Sequence, residues 1–334
     1  MRCVSRMLIP DPARRSAWLH DEQRSAVRLL ARSWLWRSEL PTWLLMFTIY
    51  GGWFTTLVFR AELGLFASTA LLILFTTWYL SLQHELIHGH PTRWPRVNQL
   101  FGLLPLAVWY PYGLYRDSHL AHHRNQLLTV PGEDPETYYF SAERWQRFSG
   151  WQQRVIRLRN TFIGRLLLAP LLDIAGVFEG MITSFRLGDR RAIAMWLVHF
   201  ALLGLVFGWL QHQGFSIGWY LLAVSYPALG CTKIRSFLEH RAADNPLARS
   251  AITETSLPWR LLFLNLNYHS VHHDLPGVPW YGLRKVWLRD RSHYAERNQG
   301  FVVKGYREWW RNYRFHPVDV TVHPGDPEEN QHDR

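Results

Sequence analysis

The sequence predicts an all-α integral membrane protein, with about four transmembrane helices in two hairpins and a helical cap on the cytosolic side. Three observations predict it. Uncharged apolar stretches are long enough to cross a bilayer. Arginine is nearly absent from the short connection inside each hairpin and abundant elsewhere. Histidine gathers in three short clusters, each close to an apolar stretch.

Composition alone hides this pattern. Hydrophobic residues make up 48% of 334 positions, a share that a soluble protein could have. They are segregated, however, into residues 40–83 and 192–235. The 18 Trp fit a chain that meets a bilayer interface, where the amphipathic ring is favoured. The net charge of +11 comes almost wholly from Arg, since the only lysines are Lys233, Lys285 and Lys304. Nucleic-acid binding is set aside: the apolar runs are too long, and the aromatics accompany Leu rather than loop glycines. A positive-inside surface accounts for most of the Arg, and attraction to anionic lipid, an acidic carrier or acyl-CoA fits the rest. Cys3 and Cys231 provide neither a disulfide framework nor a thiolate metal site. The charged N-terminus lacks the apolar core of a cleavable signal peptide.

Three segments are expected. Residues 1–39 form a basic N-terminal segment, 40–285 the membrane domain, and 286–334 a cytosolic tail. The first carries eight Arg interleaved with Trp18, Leu19, Val27, Leu30 and Trp34. That pattern suits a helix lying on the membrane or packed on the protein's own cap. Leu40 to Phe59 has no charge and is about 20 residues, enough to span at 1.5 Å per residue. Arg60-Ala61-Glu62 is read as the turn, and Leu63 to Gln83 as the second span. Phe101 to Tyr112 is apolar but too short to span, so a dip into the bilayer or a buried helix is expected. Pro131-Gly132-Glu133-Asp134-Pro135 is a loop. Residues 151–182 alternate Arg with Leu, Ile and Phe, as one interfacial helix would. Ala192 to Leu210 is the third span, broken only by His199, and Ile217 to Thr232 the fourth. The Arg distribution then puts both termini and all three clusters on the cytoplasmic side.

The clusters carry the chemistry. His84 and His88 lie one turn apart on a helix. His119, His122 and His123 can share a face, and His269, His272 and His273 repeat that spacing. Single histidines are ordinarily core or surface residues, but eight in three such groups point to metal. Eight imidazoles exceed the four ligands of one zinc, so two metals are expected. All-nitrogen ligation suits iron, zinc or copper and does not choose among them. His240, just past the fourth span, is a ninth candidate; the alternative is an interfacial His paired with Glu239. Asn265, four residues before His269, is a candidate to ligate directly, through water, or by orienting His269. His90 and the remaining histidines are read as ordinary. His84-Glu85-Leu86-Ile87-His88 also satisfies the H-E-x-x-H of zinc proteases, with Glu85 as general base. Such an enzyme has no use for the other six clustered histidines. A non-catalytic metal-binding or transport protein is a third class, disfavoured because only His199 is ionisable within a span.

HELIH, then HLAHH, then HSVHH, with apolar hairpins between, resembles the membrane fatty acid desaturase superfamily and its three histidine boxes. The resemblance covers about residues 40 to 285. It extends to the Asn267-Tyr268-His269 lead-in and the Pro276 and Pro279-Trp280 tail of the third box. Glu85 departs from the Asp that follows the first His in many desaturases. The resemblance implies a non-haem di-iron centre held by His84, His88, His119, His122, His123, His240, His269, His272 and His273. It implies O₂ as co-substrate and desaturation of an acyl lipid, acyl-CoA or acyl-carrier substrate. The same scaffold supports hydroxylation, or desaturation of a small specialised metabolite, so fold does not fix outcome. It also implies a separate electron donor: ferredoxin, rubredoxin or a cytochrome b5-like protein. The chain has no G-x-G-x-x-G and no Cys cluster. His323-Pro324-Gly325 is similar to a haem-binding HPGG, but too little chain follows for such a domain to be expected.

Overall fold

The computed structural model describes residues 21–124 and 127–324. Cys3, Trp18, Leu19, Arg2, Arg6, Arg14 and Arg15 lie outside the described residues. The rest of the basic segment forms helices Asp21–Ala31 and Trp34–Ser38. Val27, Leu30 and Trp36 pack on the cap, against a core that includes Ile252, Leu283 and Trp287. Trp34 and Leu29 on the same segment remain exposed.

Helices Leu40–Val58 and Arg60–Ile87 form the first hairpin. The turn is not made by Arg60-Ala61-Glu62, which is itself helical. It is made on either side, at Phe59 and at Gly64, whose φ of 75° is free of strain only for glycine. Helix Arg190–His212 begins at Asp189, whose carboxylate accepts from the N–H groups of Arg191 and Ala192. The return run is divided into Ile217–Trp219, a π-turn Tyr220–Ser225, and Tyr226–Arg235. Pro227 lacks the N–H that would continue the α-ladder, and the π-turn takes up the change. Two helices, Arg60–Ile87 and Arg190–His212, are long and apolar enough to cross a membrane. Leu40–Val58 is diluted by Thr, Gly and Tyr, and the return run is broken into pieces. Even so, Phe47, Phe66, Leu205 and Leu222, one from each expected span, are 78%, 84%, 68% and 75% exposed. The connections within the two hairpins meet: the Arg60 guanidinium donates to the carbonyl of Gln213.

Between the hairpins, the expected dip is neither a helix throughout nor open to lipid. Pro95–Gly102 is helical, and the chain then runs irregularly to the helix Tyr112–Arg124. Irregular backbone at such depth must find partners inside the protein. The Tyr79 hydroxyl donates to the carbonyl of Gly102 at 2.9 Å. Tyr220 donates to Leu106 (2.7 Å) and Ser225 to Ala107 (2.6 Å), and His199 Nε2 donates to Val108 (2.7 Å). His199 is thus a structural donor in the helix bundle.

The expected single helix over 151–182 is three helices: Gly150–Arg159, Phe162–Leu167 and Ala169–Leu187. Asn160 leaves the first helix, and Thr161 starts the second by accepting from the N–H of Gly164 at 2.9 Å. Pro170 sits in the first turn of the third. That third helix leaves Leu171, Ile182, Phe185 and Leu187 exposed, an apolar face turned away from the protein.

The cap is mostly helical, with one pair of parallel two-residue strands, Ile252–Thr253 and Val302–Val303. The expected boundary at 285 falls inside helix Trp280–Arg289. Beyond it, Phe301, Tyr306 and Trp309 share a core with Phe162, Ile234 and Phe237. His323 is buried, 3.0 Å from Thr129 Oγ1, in a strand-like contact where its N–H donates to the Phe140 carbonyl.

Candidate metal centre

Four separate elements deliver the histidines to one place. His84 and His88 stand at the C-terminal end of helix Arg60–Ile87, with His88 as its C-cap. His119, His122 and His123 lie on helix Tyr112–Arg124, and His269, His272 and His273 on helix His269–Asp274. His240 follows helix Tyr226–Arg235 and is held by a bridge to Ser250. The nine imidazoles fall into two groups. His84, His88, His119, His123 and His272 form a group of five, and His122, His240, His269 and His273 a group of four. The rings of His123 and His273 stack at 4.2 Å and join the groups.

Seven of the nine rings turn Nε2 towards the Nε2 of another imidazole. Nε2 atoms meet in pairs: His88 with His119 at 3.0 Å, His123 with His272 at 3.1 Å, His122 with His240 at 3.2 Å and His240 with His269 at 3.0 Å. Several Nδ1 atoms face outward to oxygen. His122 Nδ1 lies 2.8 Å from Asp134 Oδ1, and His119 Nδ1 lies 3.2 Å from both carboxylate oxygens of Glu136. His240 Nδ1 is 3.2 Å from the Ser250 hydroxyl, and His269 Nδ1 is 3.4 Å from Glu239 Oε1. An ionised carboxylate only accepts, so His119 and His122 carry their proton on Nδ1 and turn a lone pair inward on Nε2.

Several of the other imidazoles are held in their neutral form. Burial, reinforced by neighbouring imidazoles, holds His269, His272 and His273 well below the usual imidazole range and brings His240 down to about 3. Burial also pulls His122 down, but the Asp134 hydrogen bond and nearby carboxylates more than reverse it. Burial alone would raise Asp134 and Glu136. The His122 bond and two backbone N–H groups bring Asp134 below its ordinary value, and His119 is the main group drawing Glu136 down to about 2. Neutral imidazoles with converging lone pairs repel one another unless a cation lies between them. Metal–nitrogen bonds of ~2.1 Å at about a right angle put neighbouring nitrogens ~3.0 Å apart, close to the spacings here. The buried nitrogens of His84 and Nε2 of His273 have no hydrogen-bond partner among the described residues. The donor set therefore fits metal ions.

Asn265, Glu85 and His90 make contacts of other kinds. Asn265 is not on the helix of His269, which starts four residues later, so the shared-face premise fails. It sits at φ 54° and donates its amide N–H to the Trp280 carbonyl at 3.0 Å, while its Oδ1 is buried without a hydrogen-bond partner among the described residues. Glu85, the would-be protease base, accepts from the Trp280 backbone N–H at 3.0 Å, and its other oxygen lies 3.6 Å from His84 Nδ1. His90 is paired with Glu39 at 2.8 Å. Asp134 and Glu136 were not anticipated as imidazole partners, and Glu239, considered as a partner of His240, lies against His269 instead. Three acids within four residues, Glu133, Asp134 and Glu136, about ten residues past the second cluster of a basic chain were the available signal.

The sequence matches the fatty acid desaturase family over residues 61–305. This chain belongs to that family. No match was found among curated proteins. Membership in the fatty acid desaturase family implies an oxidoreductase, in a family that is membrane-associated and typically metal-dependent. Both histidine groups, able to hold metal, lie within the matched residues.

Proposed function

We propose that this protein is an O₂-dependent di-iron oxidoreductase that introduces a double bond into a fatty acyl chain. It would sit in the membrane on four spans, with its termini and histidine boxes on the cytoplasmic side. The observation that carries the reading is one cavity of about 600 Å³, the size of a small-molecule site. Its wall includes His84, His119, His122, His240 and His269, and also the apolar Leu80, Leu114, Ile174, Val177 and Leu229. A hydrocarbon segment and the metal ligands would share that space.

Five imidazoles in one group exceed the four ligands of tetrahedral zinc and favour iron. When bound, the two irons would supply activation of O₂ for removal of hydrogen from an unactivated C–H bond. The chain's own residues do the rest. Asp134 and Glu136 hold the Nδ1 protons and keep Nε2 free to ligate. Leu80, Ile174 and Leu229 exclude water beside the C–H bond. Exposed Phe47, Phe66, Leu205 and Leu222, together with the meeting of the two hairpin connections, support four spans. Cys3 and Cys231 cannot hold an iron–sulfur cluster. His323, the haem-like motif's histidine, is taken up in the cap. A ferredoxin, rubredoxin or cytochrome b5-like donor would supply the electrons.

Metal analysis of the purified protein, with fatty acid profiling of cells that express it, tests the reading. Two irons per chain and a new double bond are expected. An alcohol product would make it a hydroxylase, and an unchanged acyl profile would point to a small specialised metabolite. One zinc per chain would return the protease.

A further inference from the structure

The same cavity has a second, cationic part of its wall, formed by Arg159, Arg165 and Lys233 around Tyr138. Arg159 is 9% exposed and Arg165 3%. Their guanidinium carbons lie 4.7 and 3.9 Å from the centre of the Tyr138 ring. Lys233 is differently engaged: it is ion-paired with Asp173 and donates to the Tyr138 hydroxyl at 3.2 Å. The two arginines form no ion pair with an acid among the described residues, although Asp173 lies near enough to attract Arg159. Nε and Nη2 of Arg159, and Nε and Nη1 of Arg165, are buried without a hydrogen-bond partner among the described residues. Other acids on the wall are occupied. Asp319 accepts from the Tyr139 hydroxyl, Asp134 and Glu136 face imidazoles, and Glu239 lies 3.6 Å from Arg235.

Buried cations without a counter-charge are strongly disfavoured unless something pairs with them. Local structure nevertheless brings this pair together. Arg159 ends one helix and Arg165 lies in the next, across the break that Thr161 caps. The helices approach so closely that a Cβ on Gly164 would fall 1.7 Å from the Leu158 carbonyl oxygen. Burial, with repulsion from Arg165, lowers Arg159 to about 10. The guanidinium carbons lie over the Tyr138 ring, and the unpartnered N–H groups are left for an oxyanion, which the planar fork matches.

We infer that Arg159 and Arg165 form a subsite for an anionic oxygen head group, carboxylate or phosphate, at one end of a substrate whose hydrocarbon body runs towards the histidines. The inference rests on the reading of this cavity as the substrate site. The head group would complete the pairing that the protein leaves open.

The test is binding without turnover, by calorimetry on the full-length metal-loaded protein held anaerobically in detergent. Dodecanoate, dodecyl phosphate, 1-dodecanol and methyl dodecanoate are compared. At least one anion should bind about tenfold or more tighter than the alcohol and ester, as charge-assisted pairing requires. Which anion wins separates a free acid from a phosphate-bearing lipid or carrier. Arg165→Gln and Arg159→Gln should bring the anion to within about twofold of the alcohol with metal content unchanged, and Arg165→Lys should keep part of the preference. Equal binding of all four ligands to the wild type would overturn the subsite. So would an Arg165→Gln protein of full metal content that keeps the preference. Should the Gln variants lose metal, the wild-type ratio and Arg165→Lys decide. A wild-type protein that lacks the preference but still forms the oxidised product refutes only the subsite; a wild-type protein with the preference but without iron or product refutes only the proposed reaction.

Discussion

Replacing Asp134 by Asn should weaken one metal and spare the other. The Asp134 side chain is 1% exposed. Oδ1 accepts from His122 Nδ1 at 2.8 Å and from the Glu136 N–H at 2.9 Å, and Oδ2 accepts from the Thr129 N–H at 2.8 Å. An amide keeps one acceptor oxygen and turns the other into a donor. In either orientation an NH₂ then faces an N–H in a buried site. If it faces His122, the imidazole loses the acceptor that fixes its tautomer. A hydrogen bond to a charged group contributes about 1.5–3 kcal/mol. Each 1.4 kcal/mol is about a factor of ten, so metal affinity should fall about tenfold to a hundredfold, the usual range for such outer partners. His122 belongs only to the group of four. Iron content measured after dialysis against graded chelator should therefore drop from two per chain to one at concentrations that leave the wild type intact. Two irons retained at the wild-type midpoint, or both lost in a single step, would refute the reasoning.

Glu136→Gln is the mirror experiment, acting through His119 on the group of five. Glu136 is more exposed and Gln retains an acceptor, so a loss of about tenfold or less is expected in the same chelator titration. Asn265→Gly keeps the left-handed backbone at φ 54° and removes the side chain, so metal content should stay at two per chain. A drop to one would return Asn265 to the ligand set. Tyr220→Phe removes a hydroxyl that accepts from Trp53 Nε1 at 2.9 Å and donates to the Leu106 carbonyl at 2.7 Å. Both groups would be left unpaired in a buried bundle, costing about 1–3 kcal/mol each. Thermal unfolding in detergent should show a lower midpoint; an unchanged midpoint would mean that water or a neighbouring side chain satisfies them.

The histidine spacing was readable in the sequence because helical periodicity is local: residues three and four apart share a face wherever the helix goes. His240 was readable for a weaker reason, its depth beside the end of the fourth apolar run. For Asn265 the same rule of spacing does not apply, so its candidacy no longer rests on a shared helical face. The chain between it and His269 is not helical, and two consecutive positive φ values at Leu264 and Asn265 turn the backbone instead. The single helix expected over 151–182 failed similarly, since its alternating Arg and Leu do not reveal a break made by a Thr cap and a close approach at Gly164.

By itself, the sequence determined the apolar runs, the three histidine clusters and the family to which they belong. Those properties are carried by residue type and short-range periodicity. Tertiary structure alone decided that the imidazoles divide into five and four, that Asp134 and Glu136 set their tautomers, and that two arginines share the cavity with them. Each of these depends on contacts between segments far apart in the chain. His122 meets His240 and Arg165 shares a wall with His269 only because the hairpins and the cap close around one cavity.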